Sequence, residues 1–347
     1  MTKARDIADN AGQGGGGGSK NLVINGAMQV AQRGTSSTGL GGADGYFTVD
    51  RFKIDVATAS AGRFTMSQHS DGPSGFANCI KLDCTTADTS IAAGERLILR
   101  HIIEGQDLQQ LKKGTSDAET FTVSFYVKGN AAATYSLSLY DGDNGRMISQ
   151  TFNVTTSWNR IELTFAGDTT GAFDDDNGAS LFLDIFLHAG TDYTSGTLQT
   201  SWGANANANR AVGISSFFDS TNREFYITGI QLEAGDKATD FEHRTFADEL
   251  ARCQRYYEIA DIGGDTYRIS LNKGSTGASY YWAIDLRKTK RAKPTCTITQ
   301  SFDDNLTLSV HPSATGLNHI GIKNATGGST DTRALGELDA WTADAEL

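Results

Sequence analysis

The sequence predicts an all-β chain made of a large β-sandwich, one short helix and a smaller β-sandwich. Three observations carry this. Apolar and polar residues alternate with period two along many short runs. Turn dipeptides separate those runs. The 347 residues include 39 glycines but only 3 prolines. Glycine without a Gly-X-Y period supplies tight turns, not a collagen repeat or Pro-rich disorder.

Between Asn21 and Leu232 the strand signal is continuous. Phe121, Val123, Phe125 and Val127 alternate with Thr122, Ser124, Tyr126 and Lys128. Tyr135, Leu137 and Leu139 alternate with Ser136 and Ser138, and Ile161, Leu163 and Phe165 with Glu162 and Thr164. Such runs are strands with one buried face. Leu181 to Leu187 is apolar almost throughout, interrupted by Asp184, and predicts a central strand covered on both faces. Gly129-Asn130, Asp141-Gly142, Asn144-Gly145 and Asn177-Gly178 are turn signals. A weak helical period runs only from Ile98 to Leu111.

A helix is predicted over 245–259. Thr245 followed by Asp248 is a capping arrangement that satisfies free N–H groups. Phe246, Leu250, Cys253 and Tyr257 form one apolar stripe, suited to a domain junction or an oligomer contact. Asp248 and Arg252 are spaced for an i,i+4 pair. After Gly263-Gly264 the β pattern resumes, with Tyr267, Ile269 and Leu271, then Tyr281, Ala283 and Asp285. "KPTCTITQ" and "NLTLSV" read as a hairpin joined by Ser301 to Asp304. The expected division is 1–20, an anchor and linker; 21–243, the first sandwich; 244–261, the connector; and 262–347, the second sandwich.

Residues 1–20 stand apart. Gly14 to Gly18 form an uninterrupted glycine run, and Ile7 is the only large aliphatic residue there besides Met1. So little apolar surface does not offset backbone ordering, so the segment reads as a flexible attachment peptide that orders on a partner. Lys3, Arg5 and Ile7 are its candidate contact residues. It lacks the apolar core of a signal peptide, and no run approaches the ~18 apolar residues of a membrane span.

The formal net charge of −11 argues against bulk binding to nucleic acid or an anionic membrane. The one basic cluster (Arg287, Lys288, Lys290, Arg291 and Lys293) reads as a solvated turn. Cys79, Cys84, Cys253 and Cys296 show no metal spacing and read as reduced and packed, with Cys79 and Cys84 on opposite strand faces. The six histidines are scattered, and His243 reads as a structural hydrogen-bonder at the junction. No nucleophile elbow or phosphate loop is present.

Two loops bunch carboxylates. Asp141 and Asp143, or Asp174, Asp175 and Asp176, offer oxygens for Ca2+ without an EF-hand's later bidentate acid. The competing reading is two solvated β-turns. Sugar recognition needs exposed aromatics beside polar side chains. Trp202 in the loop Ser201 to Arg210, with Asn205 and Asn207, is the leading candidate, alongside Tyr46, Phe47, Tyr193 and Tyr280. The competing reading is that these aromatics cap the core.

Several segments resemble known families. "NLVINGAMQ" looks like the opening strand of jelly-roll carbohydrate-binding modules and galactose-binding-like domains. "FTVSFYVKGN", "TTSWNRIELTF" with Trp158, and "FYITGIQLEAG" look like its central and closing strands. "FEHR…ELxxCQRYY", the opening "KARDIAD" and the closing "ADAEL" resemble structural proteins of tailed, marine or cyanophage-like bacteriophages. The resemblance implies a jelly roll, then the helix, then a C-terminal β domain. It also implies a non-enzymatic virion protein of tail-fibre type, assembled without a signal peptide in the host cytoplasm. The implied partners are other virion proteins, further copies in a trimer, and a host-surface polysaccharide, with no nucleic acid and no membrane insertion. A capsid or tail decoration protein, or a polysaccharide depolymerase, are the alternative roles.

Overall fold

The computed structural model describes residues 20–57, 60–261, 267–272, 281–304, 307–324 and 333–347. The expected attachment peptide, with Lys3, Arg5 and Ile7, lies outside them, as does Tyr280. The first unit contains β1 (Ser36–Leu40), β2 (Gly45–Tyr46), β3 (Lys53–Ala57), β4 (Arg63–His69), β5 (Cys79–Thr86), β6 (Arg96–Glu104) and β7 (Phe121–Gly129). It continues with β8 (Ala133–Asp141), β9 (Arg146–Val154), β10 (Asn159–Phe165), β11 (Ala179–Ala189), the short α1 (Thr191–Thr194), β12 (Gly203–Ala204) and β13 (Glu224–Ala234).

These strands form two antiparallel sheets, in the orders β1-β4-β5-β13-β7-β10 and β12-β9-β8-β11-β6-β3-β2. The chain passes repeatedly between them, which makes the unit a jelly roll. The alternation read from the sequence places Phe125, Val127, Leu137 and Leu139 in the shared core with Phe64, Leu82, Ile185 and Ile227. β11 is central, between β8 and β6, and Asp184 and Phe186 on its outer face are also buried. The Ile98 to Leu111 segment is not helical in the α sense. It is the end of β6 followed by two 3-10 turns.

"NLVINGAMQ" is not a strand. Asn21 to Gln29 forms a turn, and the first strand among the described residues starts at Ser36. Asn25 and Met28 adopt left-handed backbone, with φ of 62° and 57°. Asn tolerates that region because its short side chain bonds locally. Here the Asn25 amide donates to Val30 O and Asp50 O at 2.8 and 3.0 Å. Gly26 lies so close to β13 that a Cβ would sit 2.1 Å from Ile230 O.

The connector helix, α2 (Phe246–Gln254), is shorter than expected. Thr245 caps it, its Oγ1 accepting from Asp248 N at 3.2 Å. It ends at Gln254 because Tyr257 already pairs as a strand. The predicted apolar stripe is therefore corrected. Phe246 is 57% exposed, while the buried face is Glu249, Cys253 and Gln254.

The second unit has β14 (Tyr257–Asp261), β15 (Tyr267–Asn272), β16 (Tyr281–Asp285), β17 (Thr295–Asp304), β18 (Leu308–Val310), β19 (His319–Asn324) and β20 (Arg333–Asp344). β20 pairs with β14, β15 and β17, while β16, β19 and β18 make a second sheet. Leu286, Leu308, Ile320, Ile322, Leu338 and Trp341 fill the core between them. The expected "KPTCTITQ"–"NLTLSV" hairpin does not form. β17 and β18 lie in different sheets, because each finds a longer partner in β20 and β19.

The two sandwiches interlock. Arg51 is fully buried, pairs with Glu346 and donates to Ile102 O at 2.6 Å. Arg33 pairs with Asp344 at 3.1 Å and Glu346 at 3.3 Å, and lies 3.5 Å from the Tyr257 ring centre. Glu104, fully buried, holds Arg255 by two hydrogen bonds of 3.0 and 2.7 Å. Lys290 is 1% exposed and pairs with Glu258 at 2.7 Å. Arg291 exchanges hydrogen bonds with Asn177. The basic segment is thus not a solvated turn as a whole, because Lys290 and Arg291 are part of this junction.

Candidate ligand-binding face

The outer face of the second sheet carries a cluster of charged side chains that includes the buried Asp55, Asp184 and Arg210. Two observations in the sequence of β6 and β11 foreshadow it. Arg96 and Arg100 recur on one face of a strand that is otherwise apolar, and Asp184 interrupts the apolar β11. The registers place Asp184 opposite Arg100 on one side and opposite Ser138 on the other.

The result is an ion ladder across the sheet. Arg100 grips Asp184 through Nε at 2.6 Å and Nη2 at 2.9 Å, and reaches Asp55 through Nη1 at 2.5 Å. Arg96 donates to Asp55 at 2.7 Å and to the Tyr193 hydroxyl at 2.8 Å. Arg210 donates to Asp184 at 2.6 Å and to Ser138 Oγ at 3.2 Å. Bidentate Arg–carboxylate geometry of this kind orients both partners. Burial pushes the Asp184 carboxyl up, but Arg100 and Arg210 more than offset it and hold it below the usual carboxylate range.

Arg210 ends the loop singled out from the sequence, and the ladder ties that end to the sheet, while β12 pairs with β9 further up the loop. Ile98, Phe186, Tyr193 and Ala211 form a small apolar cluster beneath it. Next to the ladder, Tyr140 and Phe182 are direct cross-strand neighbours with ring centres 5.5 Å apart. Both rings are half-buried. Arg100 lies 5.2 Å from the Phe182 ring and Arg210 5.5 Å from the Tyr140 ring. Neither aromatic was singled out from the sequence, because each occupies an ordinary strand position. Only the pairing of β8 with β11 makes them one surface.

The residues singled out from the sequence are scattered. Tyr193 is buried, with its hydroxyl held by Arg96, so it offers no stacking face. Tyr46 donates to Leu347 O at 3.1 Å, and burial carries its phenol well above the ordinary range. Phe47 packs on the core edge. Trp202 is half-buried against Phe121 and donates Nε1–H to Ala166 O at 2.8 Å. Asn205 and Asn207 are exposed, and Asn205 N donates to Gly145 O at 2.8 Å. His243 contacts the rings of Phe76 and Phe241 at 5.1 and 4.9 Å.

The two acidic loops behave differently from a calcium site. Asp141 is buried and pairs with the Lys113 ammonium at 2.6 Å, so a fixed cation already stands at its carboxylate. Lys113 also meets Asp168 at 3.2 Å, which in turn holds Arg146 at 2.7 Å. Asp143 accepts from Asp174 N at 3.0 Å, and Asp174, Asp175 and Asp176 are exposed. Among the described residues no group of three or more His, Cys, Asp or Glu side chains converges as metal ligands.

No protein-family model matches the chain, and no curated protein matches it. Among solved structures it is similar to a CBM4 structure at 11% identity and TM-score 0.31, covering 61% of this chain and 99% of that one. It is similar to the CBM22-1 xylan-binding domain of Paenibacillus barcinonensis Xyn10C at 13% identity and TM-score 0.29, covering 64% and 100%. The enzymatically active domain of bacteriophage CBA120 tailspike protein 4 is similar at 11% identity and TM-score 0.31. That likeness covers 62% of this chain and only 22% of the tailspike chain.

Proposed function

We propose that this chain is a non-enzymatic structural protein of a bacteriophage virion, a tail-fibre or similar appendage subunit, and that it binds a host-surface glycan. The binding surface is the outer face of the second sheet. One observation carries this reading: Tyr140 and Phe182 form a partly exposed aromatic pair beside a fixed row of arginines and carboxylates. A pyranose ring presents an apolar face and a hydroxyl edge, which suits that combination. Recognition residues held on strands are also more precisely placed than residues on free loops.

The non-enzymatic reading rests on how the candidate catalytic groups are used. Asp184 and Asp55 are committed to arginines. His188 bridges Ser216 and Glu95 at 2.7 and 3.1 Å, but its ring is completely buried and Ser216 Oγ also accepts from Phe218 N. The arrangement reads as a clasp beneath the 190–216 excursion. Self-association, as a trimer, through the connector belongs to the same reading, with the exposed Phe246 on α2 as its contact residue.

Tyr140→Ala and Phe182→Ala test the reading. Each is expected to weaken binding to host-surface polysaccharide by ~1–1.5 kcal/mol, or about 5- to 10-fold, with the fold intact by circular dichroism. Wild-type-level binding in both variants would remove this face as the site. New reducing ends on incubation with polysaccharide would overturn the non-enzymatic reading.

A further inference from the structure

A second surface is set by charge. Where α2 meets the segment between β16 and β17, Ala251, Arg252, Arg255, Lys288 and Thr289 line an open cleft of about 440 Å³. The sequence separates these residues widely, and the interlock brings them together. Arg255 is held in place by Glu104, which grips it through both carboxylate oxygens. Arg252 and Lys288 are exposed, and neither has an ion-pair or hydrogen-bond partner among the described residues. The expected Asp248–Arg252 pair is absent because Asp248 accepts from Thr245 Oγ1 at 2.7 Å instead.

The local charge does not cancel. Among the described residues, the acids that face Arg252, Arg255, Arg287, Lys288, Lys290 and Arg291 are Glu104, Glu258 and Asp107, in a chain of net charge −11. Uncompensated cations repel one another, so their convergence costs stability unless something answers it. The last turn of α2 accounts for Arg252, since a basic side chain there complements the helix dipole. It does not account for Lys288, which arrives from the second sandwich.

We infer that this cleft binds an oxyanion group, a sulfate, phosphate or carboxylate, carried as a single substituent on a polysaccharide. Arg255 offers a fixed guanidinium edge, Arg252 and Lys288 supply adaptable charge, and Thr289 supplies a hydroxyl donor. A nucleic acid needs a basic stripe that tracks successive phosphates. The cluster here is one cleft wide, which fits an isolated anionic group. The choice of a polysaccharide as carrier rests on the glycan reading above, whereas the oxyanion site rests on its own geometry.

The test uses the full chain and the double variant Arg252→Ala/Lys288→Ala, whose replaced side chains are exposed and leave the Glu104–Arg255 contact in place. Inorganic sulfate and inorganic phosphate, each titrated by calorimetry at low ionic strength, probe the site alone. Dextran sulfate, alginate, neutral dextran and duplex DNA probe the carrier. The expected result is binding to sulfate or phosphate, retention on dextran sulfate or alginate but not on neutral dextran, and at least 5-fold weaker binding by the double variant. Sulfate separates this site from the aromatic platform, because Tyr140→Ala should leave sulfate binding unchanged. No binding to either inorganic anion, or equal binding by the double variant, overturns the oxyanion site. Tighter retention by duplex DNA than by either polysaccharide overturns the assigned carrier.

Discussion

The guanidinium of Arg51 lies 3.4 Å from the ring centre of Tyr256, and this contact joins the first sandwich to the turn between α2 and β14. The same guanidinium pairs with Glu346, so one buried cation answers both the connector and the end of the chain. Arg51 adopts left-handed backbone, with φ of 72°, in the β2–β3 connection.

Removing the acid of this pair leaves a buried charge uncompensated. Glu346→Ala is expected to destabilise the protein by ~3–5 kcal/mol in urea unfolding. The double variant Arg51→Met/Glu346→Gln should recover most of that loss, since it removes the stranded cation. A Glu346→Ala midpoint equal to that of the wild type would show that the interlock contributes nothing to stability.

Trp202 is tied to the core edge more firmly than a free recognition side chain would be. Trp202→Ala removes a contact with Phe121 and the hydrogen bond to Ala166 O. A stability loss of ~2 kcal/mol is expected, less than for a fully buried tryptophan. Thermal unfolding checks it. An unchanged melting temperature together with lost glycan binding would instead give Trp202 the recognition role.

Asp50 sets a pH dependence of unusual sign. Burial raises its carboxyl from 3.8 to about 6, against the hydrogen bonds from Gln32 and the charge of Arg33, which lower it. The folded state therefore binds the Asp50 proton more tightly than the unfolded chain does. Its contribution is fully present below pH ~4 and is lost as pH rises through about 6, amounting to ~3 kcal/mol. Asp184 and Glu104 act oppositely, because their carboxyls are lowered and lose their stabilising effect as pH falls. Asp50→Asn should flatten the stability curve between pH 4 and 6 and leave the acid limb in place. Denaturant midpoints across that range measure it.

All four thiols should be unreactive in the folded protein. Burial pushes Cys79 up to about 12 and Cys296 to about 11, and carries Cys253 well above the ordinary thiol range. The thiolate is the reactive form. At pH 8 a chromogenic disulfide reagent should label the native protein slowly and all four cysteines rapidly in denaturant. A fast-reacting thiol in the native state would contradict the packing at that site.

The sequence by itself determined the period-two strands such as β7, β8 and β10, their inward faces and the cap of α2. Those features depend on near neighbours: period-two alternation selects a face for Phe125 or Leu137, and Thr245 caps a helix through a residue three positions away. Tertiary structure decided the rest. "NLVINGAMQ" reads apolar like a strand, yet Asn25 is drawn into a left-handed turn by partners as distant as Asp50 and Glu249. Tyr257 continues the helical stripe on paper, yet pairing with Asp344 takes it into a strand. Tyr140 becomes a candidate platform only because β11 places Phe182 beside it, and Lys288 meets Arg252 only because the two sandwiches interlock. A periodic pattern records which side of an element is apolar. It carries no information about which distant side chain will satisfy a buried charge or share a surface, and that choice is made by long-range packing.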